Sequence, residues 1–195
     1  MPKIKKLNTP KKIQDYLNSL PFNFEQKGET YRSVSRAVDS GTAHCFEGAL
    51  VAAYAMKLQG HKPLLLDLKA TDKDVDHVVA LFKVDGCWGA ISKTNHAVLR
   101  YREPIYKSVR ELAMSYFHEY FLTNGSKTLR SFSKPFDLDK SGVDWVNGYE
   151  DLFELVDMLD NSPHLDILTK KQIKNLRKAD KIEIKSGEIV EYKKS

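Results

Sequence analysis

Only two cysteines, Cys45 and Cys87, occur in 195 residues, too few for a disulfide framework and without the compact spacing of a zinc site. No apolar run approaches the roughly 18 residues that span a bilayer, and residues 1–12 lack the apolar core of a secretory signal. A cytoplasmic, membrane-free protein is therefore expected. Internal repeats and low-complexity tracts are also missing, which excludes solenoid and collagen-like classes. Neither charge dominates: 31 Lys and Arg stand against 26 Asp and Glu, for a formal net charge of +5. The charge is uneven, acidic over 137–166 and lysine-rich over 1–12 and 169–195. Those lysines come without interleaved arginine and aromatic residues, so a solvated surface explains them better than nucleic-acid binding does.

What remains is an ordinary globular chain, 42% hydrophobic and long enough for one substantial core. Thr9-Pro10 reads as an N-cap and first helical residue, with Ile13, Tyr16, Leu17 and Leu20 on one apolar face. A second helix is expected over 31–38, broken by Ser40-Gly41. The strongest helical signal runs over 42–59, rich in Ala, Leu, Met and Glu and ended by Gly60. Strands follow at 63–68, 77–84 and 87–92, the last two joined by Asp85-Gly86, a strong hairpin signal. The 77–84 strand is apolar on both faces, which predicts a sheet covered on each side. Pro104 is expected to open a helix carrying Ile105, Val109, Leu112, Tyr116, Phe117 and Tyr120, and another helix spans 149–160. Thr169 and Gln172 match a capping box, and 182–192 alternates around Ser186-Gly187 as a terminal hairpin. The fold class is α+β, with residues 1–165 as the main domain and 166–195 as a basic appendage.

Cys45 falls in the first turn of the 42–59 helix, where the positive helix end and free backbone N–H groups favour a thiolate and can receive an oxyanion. His77, at the head of a strand beyond the next loop, is the natural base. A two-residue Asp85-Gly86 turn pairs Val84 with Cys87 and sets His77 opposite Thr94, so His77, Trp88 and Ser92 share a face while Cys87 takes the other. Ser92 then lies diagonal to His77, within side-chain reach. Asn95 is the alternative orienter of the imidazole, although ideal register turns it away. Trp88 is placed to shield the thiolate and imidazole from water. His44 would point away from the thiol on a helix, which leaves it, with Trp88, for contact with substrate. Glu47 reads as a surface or helix-dipole residue, and His61, His96, His118 and His164 as structural or solvent-facing.

The run Gly41-Thr42-Ala43-His44-Cys45-Phe46-Glu47-Gly48-Ala49-Leu50, followed by Leu58-Gln59-Gly60-His61-Lys62-Pro63-Leu64-Leu65 and by His77, Gly86 and Trp88, resembles the transglutaminase-like core of the papain-related superfamily. The resemblance covers residues 41–92, roughly a quarter of the chain. It implies a nucleophile helix packed on a small antiparallel sheet, and a Cys, His and Asp triad that forms a thioester and passes the acyl group to water or an amine. No cofactor or metal is implied. The partner would be a protein or peptide substrate. Ser92 stands where the family has aspartate, and serine cannot offset an imidazolium charge as a carboxylate does. Two outcomes follow: a hydrolase or acyltransferase with an unusual third residue, or an inactive binding or scaffolding module on the same fold.

Overall fold

The computed structural model describes residues 3–26 and 28–191. Thr9 accepts from the Lys12 N–H at 3.2 Å and Pro10 fills the first helical position, opening α1 (Pro10–Ser19) with Ile13, Gln14 and Leu17 on its buried face. Helix α2 (Val34–Ser40) begins later than the sequence pattern suggests because Ser33, not a residue near Tyr31, is its N-cap; Gly41 ends it at φ 67°. Helix α3 (Cys45–Lys57) is buried along most of its length, as a central core helix must be.

The sheet is antiparallel and open. Strands β1 (Leu64–Lys69), β2 (His77–Val84), β3 (Cys87–Ile91) and β4 (Arg102–Tyr106) precede α4 (Val109–Tyr116). The rest of the chain gives β5 (Ser131–Ser133), β6 (Phe136–Asp137), α5 (Phe153–Asp160), β7 (His164–Asp166), α6 (Lys170–Lys174) and α7 (Lys181–Gly187). The strand order is β4-β3-β2-β1-β5-β7, with β6 beside β1. Asp85 and Gly86 both adopt positive φ, 48° and 81°, the two-residue turn whose twist matches its flanking strands. Val84 accordingly pairs with Cys87, but the ladder ends at Ala80 and Ile91. Ser92 stands just past that last rung, and His77, three residues before Ala80, keeps its pairing with Leu68 of β1.

Strand β2 shows why both sheet faces are covered. Val78, Ala80 and Phe82 pack with α1, α2, α3 and α5, whereas Val79 and Leu81 pack with Leu112, Ala113 and Tyr116 of α4. Each such fully buried Val, Leu or Phe side chain stabilises the fold by about 1.5–3 kcal/mol. This double packing holds α3 against β2, and with it the distance from Cys45 to the head of that strand. Among the described residues no helix is long and apolar enough to cross a membrane.

Three expectations need correction. Pro104 opens no helix: it lies in β4, the last strand of the sheet, where a missing N–H is tolerated, and α4 instead starts at Ser108, whose side chain accepts from Glu111 N at 3.2 Å. The 149–160 helix begins only at Phe153, leaving Tyr149 91% exposed. The terminal hairpin over 182–192 is replaced by α7, because the Glu183 carboxylate accepts from Asp180 N at 2.6 Å and nucleates a turn; Tyr192 lies outside the described residues. The basic segment is also tied to the main body, since Ala97 N donates to Ile189 O at 2.8 Å and Glu191 N to Asn95 O at 2.7 Å.

Gly48, one turn into α3, makes a close approach that its sequence context does not announce. A Cβ there would lie 2.4 Å from Lys93 Cβ, and Lys93 cannot easily withdraw because it is buried and its Nζ donates to Leu20 O at 2.6 Å. Helix propensity alone would favour Gly48→Ala by about 1 kcal/mol. The clash reverses the sign, and a loss of about 1–3 kcal/mol is expected in urea denaturation; an unchanged or raised midpoint would contradict this packing.

Candidate active site

The approach to α3 is fixed from outside the helix. Phe22 and Ala43 form a parallel bridge, with Asn23 N donating to Ala43 O at 3.1 Å and Ala43 N to Pro21 O at 3.3 Å. Cys45 follows as the first helical residue, and the first intrahelical bond runs from Gly48 N to His44 O at 2.9 Å. The N–H groups of Cys45 and Phe46 thus have no carbonyl within the helix to bond. Cys45 is partly exposed and lines a cleft of about 500 Å³ together with His77, Asn95, His96 and Tyr120.

His77 is held by Ser92, as the hairpin register implied. Its Nε2 lies 2.8 Å from Ser92 Oγ, and Ser92 Oγ lies 2.6 Å from Leu99 O. A carbonyl only accepts, so the single Ser92 hydroxyl hydrogen goes to Leu99 and the serine oxygen must accept from His77 Nε2–H. This fixes the tautomer: Nδ1 is left to take a proton from the thiol. Ser92 is itself clamped, for Gln14 Nε2 donates to Ser92 O at 2.8 Å and Ser92 N donates to Gln14 Oε1 at 3.0 Å. Gln14 sits between Ile13 and Leu17 on the buried face of α1, and a lone polar residue on that apolar face is the signal that could have revealed it.

A second imidazole also meets the thiol, which corrects the reading of His44. Its Nε2 lies 2.6 Å from Thr30 O, so that nitrogen donates to the carbonyl and Nδ1 remains for the sulfur. Burial by itself raises the Cys45 thiol, but hydrogen bonding and charge from His44 and His77 overcome it and bring the pKa down to about 5. Desolvation pulls His44 down in turn, and the thiolate, Glu47 and the Thr30 carbonyl outweigh it and raise the imidazole to about 9. At neutral pH these shifts describe a thiolate facing an imidazolium.

Glu47 is not a surface residue: it is fully buried, and its carboxylate organises the turn around the site. It accepts from Arg32 Nε at 2.6 Å, Arg32 NH2 at 2.8 Å, Thr30 Oγ1 at 3.2 Å and His44 N at 3.2 Å. Burial raises its pKa, but the Arg32 hydrogen bond and nearby positive charge hold it below the usual range. Arg32 and Glu47 lie far apart in sequence, and no local pattern pairs them.

Of the remaining candidates, Asn95 lines the cleft and its carbonyl takes the Glu191 N–H, but Ser92 is the group on the imidazole. Trp88 does not shield the site. It pairs with Lys83, whose Nζ lies 5.0 Å from its ring centre, six residues along β2 from His77, or about 20 Å of extended strand. The face assigned to it was reasonable; its position along the hairpin was wrong. No protein-family model matches the chain and no curated protein matches it, so the transglutaminase-like resemblance gains no support from known relatives.

Proposed function

We propose that this chain is a cysteine hydrolase or acyltransferase of transglutaminase-like organisation, acting on an amide or peptide bond. The observation that carries the reading is a partly exposed thiol at a helix N-terminus, engaged by two imidazoles and opening into a cleft. The Cys45 thiolate attacks the substrate carbonyl carbon, and the resulting oxyanion is received by the first-turn N–H groups of α3. As the sulfur attacks, His77, which lines the cleft where His44 does not, takes the thiol proton at Nδ1 and hands it to the leaving nitrogen as the C–N bond breaks and a thioester forms. Water or an amine then attacks the thioester, with His77 taking its proton. Ser92 keeps the required tautomer without supplying charge, while the charge role of the missing aspartate passes to Glu47 acting on His44.

An activated ester tests this directly. With p-nitrophenyl acetate, wild type is expected to release a burst of about one equivalent of nitrophenol, the signature of an accumulating acyl-enzyme, and mass spectrometry should find the acetyl group on Cys45. His77→Ala should slow acylation by about 10²–10⁴-fold. Acetylation spread over lysines with Cys45 unmodified would leave the inactive scaffold as the better reading.

A further inference from the structure

We propose that Asp67, Asp76 and Asp160 form a binding site for a hard divalent cation of the calcium and magnesium class. The three residues stand on β1, at the end of the loop into β2, and at the C-terminus of α5; Asp76 also lines the edge of the cleft described above, whereas Asp67 and Asp160 do not. Its centre is Asp67, a carboxylate with no exposed surface in the middle of a sheet. The strands beside β1 part at this point: β5 pairs with Leu68 and Lys69 and β6 with Leu64 and Leu65. In the gap, Asp67 N donates to Ser133 Oγ at 2.9 Å instead of to a strand carbonyl.

One Asp67 oxygen, Oδ2, is met by His164 Nε2 at 3.1 Å, and the other ring nitrogen of His164 lies 2.6 Å from Ser162 O. With both nitrogens engaged, His164 orients the carboxylate, as partners behind a metal ligand do. The other oxygen, Oδ1, is buried and has no hydrogen-bond partner. As ionised carboxylates, Asp76 and Asp160 have no hydrogen to offer it. Each instead brings a carboxylate oxygen, and one oxygen from each of the three residues lies within 4.8 Å of the others. Asp76 Oδ1 accepts from Ala70 N at 2.7 Å, leaving Oδ2 free. Lys69, close by, turns its Nζ to the Asp160 backbone carbonyl at 3.3 Å. Three converging carboxylates around an orphaned buried oxygen are costly as they stand, and a cation resolves both problems at once.

The donor set selects the ion. Oxygen donors and the absence of a free imidazole or thiolate point to the calcium, magnesium and manganese class rather than zinc or copper. Two oxygens on one ion are separated by at most twice the metal–oxygen distance, roughly 4.6–5.2 Å for calcium and 4.0–4.2 Å for magnesium. The three oxygens lie within 4.8 Å of one another, close enough for one ion of this class to draw them together, and calcium serves as the probe ion. Asp160 is exposed and gives the ion an entry path, and the negative end of α5 adds to its attraction.

The test is isothermal titration of the full chain, stripped with EDTA, with calcium chloride up to ~10 mM, above the ~0.1–1 mM constants of weak calcium modules, with thermal unfolding run in parallel. Wild type should bind one calcium per chain and unfold at higher temperature when it is present. Asp160→Asn, an exposed change that spares the fold, should weaken binding at least tenfold, and Glu154→Gln on the same helix should leave it unchanged. No heat and no thermal shift in wild type, or equal binding by Asp160→Asn, would overturn the proposal.

Discussion

Alkylation of Cys45 by iodoacetamide is expected to rise with a midpoint near pH 5, following the thiolate held by His44 and His77, rather than near the ~8.5 of an unperturbed thiol. The comparison has to be made in acid. At pH 5.5 a thiol of pKa ~5 is about three-quarters ionised against ~0.1% for a model thiol, and lower intrinsic nucleophilicity returns ~25–55-fold of that advantage. A net acceleration of roughly 15–30-fold remains. Near pH 7 the two effects cancel and Cys45 reacts about as fast as a model thiol, so speed at neutral pH says little. Cys87, half-buried on β3, serves as the control within the same molecule. His44→Ala and His77→Ala should each move the midpoint upward, since both imidazoles lower the thiol by hydrogen bonding and charge. A single wild-type midpoint near 8.5 would remove the basis for a nucleophilic Cys45.

Much of the site was legible because it depends on local rules. Asp85-Gly86 dictates the hairpin register, and that register placed Ser92 beside His77, where the 2.8 Å contact is found. Thr9-Pro10 and Thr169 with Gln172 head helices as their capping chemistry requires. The failures have equally specific causes. His44 points away from Cys45 only if it is helical; as an N-cap it has extended backbone angles, φ −94° and ψ −170°, and the side chain turns back along the helix entrance. Trp88 shares a parity with His77 but not a position, since alternation fixes the face of a strand and not the distance along it. The isoleucines of 182–189 alternate as in a strand, yet the capping carboxylate of Glu183 prevails in a segment where Ile182 stays 73% exposed and burial exerts little pull. Long-range pairs such as Arg32 with Glu47, or Gln14 with Ser92, leave no periodic trace at all.

Glu47→Ala should be strongly destabilising, by about 3–5 kcal/mol, because removing one partner of a buried ion pair leaves the other charge uncompensated. The Arg32 side chain is 14% exposed against 0% for Glu47, so Arg32→Ala, which strands a fully buried carboxylate, should cost at least as much as Glu47→Ala, which strands a guanidinium with some access to water. In a domain of this size the change corresponds to a fall in Tm of roughly 6–20 °C, measurable by thermal unfolding, and a fall under ~2 °C would show that the pair behaves as an exposed one. Glu47→Gln separates the two tasks of this side chain. It keeps a carbonyl oxygen to accept from Arg32 and His44 N but removes the negative charge that helps hold His44 protonated. A less protonated His44 stabilises the thiolate less, so the Cys45 alkylation midpoint should move up in Glu47→Gln even where most of the stability survives. An unmoved midpoint would mean that the carboxylate only braces the helix entrance and that His77 alone governs the sulfur.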